Sequence, residues 1–161
     1  MSQQDLWAAL QQASSKPRPH PHPLSSFSNG ISDITTEQTN KYDLLCPRVG
    51  CGSVILRKGV AKLKERESLK MEPSDLPPNP YLSPLPDNSE QSHWWLITPS
   101  PMEFENIGFS RPVESLSVSA SGKKLKLLSC AECDLGPLGW TEEGGTEFWL
   151  ACSRVGYRSE A

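Results

Sequence analysis

The stretch Thr146-Glu-Phe-Trp-Leu-Ala-Cys-Ser-Arg-Val155 alternates along its length, with Phe148, Leu150 and Cys152 set against Glu147, Trp149 and Ser153. Period-two alternation is the mark of a half-buried β-strand, because successive side chains leave a strand on opposite faces. Gly144-Gly145 stands just before it and reads as a hairpin turn. Four more short runs share the pattern. Gly52 to Leu56 carries Val54 and Ile55, and Ala61 to Lys64 alternates apolar and basic residues. His93 to Thr98 reads His-Trp-Trp-Leu-Ile-Thr, and Lys124 to Leu128 sets Leu125 and Leu127 against Lys124 and Lys126. No segment from Tyr42 onward has a helical period. The expectation is a mostly β domain of antiparallel sheets over residues 42–157, with a short tail at 158–161.

Two regions break the pattern. Residues 1–41 read as a disordered tail: Ser14 to Asn40 is rich in Ser, Pro, His and Thr and has too little apolar surface to offset backbone ordering. Leu6, Trp7 and Leu10 permit a short amphipathic helix, marginal by itself. His20 and His22 alternate with prolines, a spacing unsuited to an organised metal site. A proline-rich loop occupies about residues 72–90, where Pro73, Pro77, Pro78, Pro80, Pro84 and Pro86 exclude a central strand. That loop is expected either to be mobile or to wrap over a partner.

Composition narrows the function classes. The chain has 161 residues, of which 36% are hydrophobic, with 15 prolines and a net charge of −3. An apolar share below the ~45–50% of typical globular chains fits one domain with unfolded extensions. The charge balance gives no long-range attraction to nucleic-acid phosphates. No apolar run approaches the ~20 residues of a membrane span, and no secretory signal is expected. A cytosolic, reducing setting is expected.

The five cysteines are Cys46, Cys51, Cys130, Cys133 and Cys152. Cys130-Ala-Glu-Cys133 has the spacing that wraps two thiolates round one metal, and by spacing alone it also suits redox chemistry. The following Asp134-Leu-Gly-Pro-Leu-Gly-Trp140 cannot open the helix a redox motif needs, which favours a zinc knuckle. Cys46-Pro-Arg-Val-Gly-Cys51 is a wider second pair, with Gly50 and Gly52 permitting a tight turn. Together they predict one structural Zn²⁺ on Cys46, Cys51, Cys130 and Cys133; reduced buried cysteines are the competing reading. A closed four-thiolate set leaves no position for substrate. Cys152 reads as a small buried apolar residue, and Trp140 as packed on the sheet. The basic residues Lys58, Lys62, Lys64, Arg66 and Lys70 read as a solvated face.

Phe104-Glu-Asn-Ile-Gly-Phe109, then Cys130-Ala-Glu-Cys133-Asp-Leu-Gly-Pro-Leu-Gly-Trp140, then Phe148-Trp-Leu-Ala151 resemble the Rab-interacting factor family, the Mss-four and Dss-four group of guanine-nucleotide releasing factors. Cys46 to Leu56 is similar to its first zinc knuckle, and His93-Trp94 to its central strand. The resemblance runs over residues 42–157. It implies a zinc-stapled fold known as a β-tent. It implies release of guanine nucleotide from Rab GTPases of post-Golgi secretory transport and chaperoning of the nucleotide-free form, with membranes reached only through Rab; nothing in the sequence suggests more than a monomer. It implies a Rab-binding surface at Phe104, Glu105, Asn106 and Glu132, with Met102 and Glu103 as weaker members. Two features depart from the family pattern: the first knuckle is C-x-x-x-x-C rather than C-x-x-C, and Glu132 stands where the family has aspartate. Two other functions compete. One is a methionine-R-sulfoxide reductase using Cys152 as nucleophile, although Leu150-Ala-Cys-Ser-Arg154 lacks its motif. The other is a zinc-ribbon nucleic-acid binder, disfavoured by the acidic balance.

Overall fold

The computed structural model describes residues 20–69, 71, 79–86, 90–113 and 123–158. The segment around Leu6, Trp7 and Leu10, the basic residue Lys70, and Pro73, Pro77 and Pro78 lie outside the described residues. The architecture is mostly β. One four-residue helix, α1 (Ile31–Ile34), precedes β1 (Thr35–Thr36) and β2 (Thr39–Asn40). There follow β3 (Leu44–Leu45), β4 (Val54–Leu56), β5 (Lys62–Glu67), β6 (Gln91–Ile97), β7 (Gly108–Phe109), β8 (Leu125–Ser129), β9 (Gly139–Glu142), β10 (Phe148–Ala151) and β11 (Gly156–Tyr157). They form an eight-stranded sheet in the order β1-β2-β5-β6-β10-β9-β8-β7 and a three-stranded sheet in the order β11-β3-β4. Every strand pairing is antiparallel.

The expected hairpin at Gly144-Gly145 joins β9 to β10, with Gly144 at φ +74° and Gly145 N–H donating to the Glu142 carbonyl at 2.8 Å. The strand that follows is shorter than its alternation suggested. It ends at Ala151, and Cys152–Arg154 form a 3-10 turn that leads into β11. The turn carries the chain from the large sheet to the small one.

The large sheet is apolar on both faces, which the alternation did not show. One core lies between the two sheets and takes Trp95, Ile97, Leu128, Phe148 and Leu150 from the large sheet and Leu44, Ile55, Leu56 and Tyr157 from the small one. The opposite face carries a second core of Leu69, Met71, Leu85, Trp94, Leu125, Trp140, Trp149 and Ala151. Trp149 was read as outward-facing. It is 7% exposed and stacks on Trp140, with ring centroids 5.9 Å apart and planes at 21°. Trp140 is packed on the sheet as expected. Gly139 permits this crossing, since a Cβ there would collide with the Trp149 carbonyl. Of the basic face, Arg66 lays its guanidinium 4.8 and 4.6 Å from the Trp140 and Trp149 rings, capping the indoles rather than standing free in water.

The fold begins well before Tyr42. Ile34 is fully buried, and Leu24, Phe27 and Ile31 pack against the main core. Phe27 sits edge-on to Tyr157, and His22 pairs with Tyr157 through both backbone hydrogen bonds, at 3.0 and 2.9 Å. Asn40 explains why β2 is fixed. Its buried amide donates to the Tyr42 and Arg57 carbonyls and accepts from Ala61 N–H, all at 2.9–3.0 Å. Residues 20–41 thus belong to the fold, and the assignment of 1–41 to a tail is corrected for them.

The described part of the proline-rich loop, residues 79–86, is also fixed to the protein. Leu82 enters the main core and Leu85 the second. Arg154, only 3% exposed, donates from Nε to the Ser83 carbonyl and from Nη1 to the Pro137 carbonyl, each at 2.9 Å. A buried guanidinium needs such acceptors, and the loop supplies one of them. Arg158, expected in a tail, donates its backbone N–H to the Asp43 carbonyl at 3.1 Å.

Candidate metal centre

Each cysteine pair sits where a strand turns. Cys46 follows β3 and Cys51 precedes β4; Cys130 follows β8, and Cys133 lies in the turn leading to β9. The two knuckles therefore belong to different sheets. The four Sγ atoms lie within 4.8 Å of one another, with Cys46–Cys133 at 3.6 Å and Cys51–Cys130 at 3.8 Å. Tetrahedral zinc with metal–sulfur bonds of ~2.3 Å sets its sulfurs about 3.8 Å apart, so these residues fit one such ion. Cys46, Cys51 and Cys130 are buried and Cys133 is half-buried.

The local backbone is shaped for this cluster. In the first knuckle Cys51 and Gly52 N–H both donate to the Arg48 carbonyl, at 3.0 and 3.3 Å, and Cys46 N–H donates to Ser53. Gly52 takes φ +55°, in the region where a side chain is strained. In the second, Asp134 N–H donates to the Cys130 carbonyl and Cys130 N–H to Leu135. Backbone amides two residues on reach three of the sulfurs: Arg48 for Cys46, Ser53 for Cys51 and Leu135 for Cys133. Cys130 takes a side chain instead. Asn106 Nδ2 lies 3.4 Å from its Sγ, while Asn106 Oδ1 accepts from Ala131 N–H at 3.0 Å.

Burial pushes the Cys46 and Cys133 thiols up, as expected of sulfurs gathered in one dry place. Burial acts on Cys51 in the same direction, but hydrogen bonds from Ser53, Cys133 and Cys130 outweigh it and bring that thiol down to about 7. A dication at the centre would favour all four thiolates.

The other candidate residues divide. Ser100 caps a 3-10 turn at Pro101–Glu103, accepting from Met102 N–H at 2.9 Å. That turn holds Met102 out at 88% exposure, beside exposed Glu103. Phe104 is half-buried, edge-on to Phe148 at 5.9 Å, so part of its ring belongs to the core. Glu105 is exposed and pairs with Arg57 Nε at 3.4 Å. Glu132 is exposed in the turn between its two cysteines. Asn106 faces inward to Cys130 and braces the second knuckle. It thereby draws the 101–106 segment and Glu132 together. The sequence marked Asn106 for a partner; its bond to sulfur was invisible there because 24 residues separate the two. Arg57 was missed for the same kind of reason, since its partner Glu105 is distant in the chain; Ser53 lies only two residues from Cys51, and a serine beside a cysteine carries no signal by itself.

Cys152 is 1% exposed and burial pushes its thiol far up, the opposite of an activated nucleophile. Tyr157 Oη donates to its carbonyl at 2.7 Å and accepts from Trp95 Nε1 at 3.0 Å. The region is a structural joint, and it gives the reductase reading no support.

A family model described as "Mss4 protein" matches residues 39–157, most of the chain. The chain belongs to the Mss4 family. Two relatives named guanine nucleotide exchange factor MSS4 homolog are similar to it. The one from Drosophila melanogaster is 29% identical over 127 residues, 78% of this chain and 91% of its own length. The one from Schizosaccharomyces pombe is 32% identical over 59 residues, 37% of this chain and 51% of that protein.

Proposed function

We propose that this member of the Mss4 family is a guanine-nucleotide releasing factor. It acts on a small GTPase of the Rab class, holds the nucleotide-free form, and carries one structural zinc ion on Cys46, Cys51, Cys130 and Cys133. The observation that carries this reading is the family match over residues 39–157, with relatives named as guanine nucleotide exchange factors. On this reading the protein regulates a GTPase and is not itself an enzyme. It works as a cytosolic monomer in secretory transport.

The zinc would supply a closed cross-link between the two sheets and no reactive position. The chemistry of release falls to side chains. A factor that binds the empty GTPase more tightly than the loaded one must weaken nucleotide binding by the same factor. GTPase switch segments are ordered by contacts to phosphate and Mg²⁺, so a surface that captures a displaced switch favours the open state. Met102 offers exposed apolar area, and Glu103, Glu105 and Glu132 offer carboxylates to a basic switch residue. Asn106 keeps these two segments in one place through its bonds to Cys130 and Ala131.

Release of fluorescent GDP from a panel of purified Rab proteins tests the proposal. Saturable acceleration, with a stable complex that GDP and Mg²⁺ dissolve, is the expected result. A folded, zinc-loaded protein that accelerates release from none of them would defeat it.

A further inference from the structure

The three-stranded sheet has two ends. One end of β3 and β4 carries the Cys46–Cys51 knuckle. The other end gathers the residues just before β3, just after β4 and just after β11. Lys41, Tyr42, Asp43, Arg57, Lys58 and Arg158 line an open cleft of about 520 Å³ there. Four cations thus face one carboxylate in a chain whose net charge is −3. The geometry points to this cleft as a binding site for a multiply phosphorylated anion.

The cleft is set by backbone rather than by long side chains alone. Asp43 is its organiser. Its Oδ1 accepts from Lys58 N–H at 2.8 Å, its Oδ2 lies 3.7 Å from Arg158 Nη1, and its carbonyl accepts from Arg158 N–H. That carboxylate is withdrawn, with its side chain 14% exposed, so it holds the frame together rather than filling the cleft. Gly59 N–H closes the β4 side by donating to the Asn40 carbonyl at 2.9 Å.

The cations are only partly answered. Lys41 stands 5.5 Å above the Tyr42 ring, and its charge also reaches Asp33. Arg57 shares a solvent-exposed pair with Glu105 at 3.4 Å. The Lys58 ammonium has no carboxylate partner among the described residues. Arg158 shares Asp43 and Arg57 shares Glu105, so two of the four cations are paired, and a single carboxylate ligand would still leave the cleft positive. Two guanidinium forks with two lysines suit phosphoryl oxygens, which accept several charge-assisted hydrogen bonds at once. The volume lies within the usual range for small-ligand sites.

Arg57 gives the site a second property. It cannot serve a bound phosphate fully while paired with Glu105, so ligand and Glu105 compete for it. The cleft is thereby tied to the 101–106 segment, and the binding itself does not depend on the exchange-factor reading.

The test uses the full zinc-loaded chain and inorganic pyrophosphate, followed by amide shifts and by calorimetry. Shifts at Lys41–Asp43 and Arg57–Lys58, with the Cys130–Cys133 amides unmoved, are expected. The Lys41→Glu/Lys58→Glu variant, exposed and checked for unchanged zinc and melting temperature, should bind at least about tenfold more weakly. Glu105→Gln should bind about two- to threefold more tightly, since it frees Arg57 from an exposed pair. Flotation with phosphatidylcholine vesicles, with and without a phosphoinositide, then separates the sources. Phosphoinositide-dependent flotation identifies a lipid headgroup, and pyrophosphate binding without flotation identifies a soluble phosphate. No pyrophosphate binding, or equal binding by the charge-reversed variant, overturns the site.

Discussion

The two knuckles each bring a pair of thiols to the same point, by different means. The first is a wide loop closed on itself: Arg48 and Ser53 serve its sulfurs from within the loop. Its extra residues point away from the cluster, with Val49 65% exposed. The second is tight and is braced from outside by Asn106. The wider spacing therefore leaves the sulfur cluster compact and moves the difference outward, into what each knuckle touches. The first reaches the protein's own proline-rich loop, and the second lies beside the exposed 101–106 segment.

The largest effect is expected where the knuckles meet. Cys130→Ser removes a thiolate from a site whose zinc is worth about 10–16 kcal/mol in small peptides. A domain of this size has only ~5–15 kcal/mol of stability in all. The variant should lose stoichiometric zinc and its cooperative unfolding transition, as Cys46→Ser should. If one of the two kept both properties, the knuckles would not be sharing one ion.

The knuckles should then separate at their supporting bonds. Asn106→Ala leaves Cys130 without its side-chain donor and Ala131 N–H without its acceptor. Losing an outer partner of a metal ligand costs roughly 10–100-fold in affinity. Ser53→Ala removes a hydroxyl from Cys51 but keeps the backbone donor, so a loss of only about threefold is expected. Chelator competition measures both, and equal losses would erase the distinction between internal and external bracing. Next comes Glu132→Ala, exposed at the tip of the second knuckle. It should slow GDP release about tenfold, as for a strong interface residue, while stability stays within about 0.5 kcal/mol. Unchanged release would remove Glu132 from the proposed interface.

Much of this was legible in the chain. Gly52–Leu56, Lys124–Leu128 and the run after Gly144-Gly145 contain strands because short runs of β-forming residues bounded by turn residues mark extended chain, whichever face is apolar. The cysteine set was legible because spacing and glycine placement constrain thiols strongly. Two kinds of feature were not. Trp149 was assigned to solvent because alternation between two apolar faces looks like alternation with an outside. Residues 20–41 were assigned to a tail on composition, although Leu24, Phe27, Ile31 and Ile34 recur at intervals of three, four and three; their partners, Tyr42 and Tyr157 among them, lie on other segments. Long-range placement also hid Asn106, whose meaning depends on a sulfur that only the folded chain brings near.

The smallest effect concerns the wide first knuckle and the proline-rich loop. They touch. Arg48 of the knuckle lies over the Tyr81 ring of the loop, its Cζ 5.2 Å from the centroid. Arg48 Nε is buried and finds no hydrogen-bond acceptor among the described residues. The ring is therefore a main reason for the guanidinium to sit there. Exposed cation–π contacts are worth about 0.5–1 kcal/mol. Arg48→Ala and Tyr81→Ala should each be mild, and a double-mutant cycle in urea should return a coupling of about that size. A coupling indistinguishable from zero would mean that loop and knuckle are independent insertions. A measurable one would mean that the first knuckle adds an arm to the hold that Leu82, Leu85 and Arg154 already have on the loop.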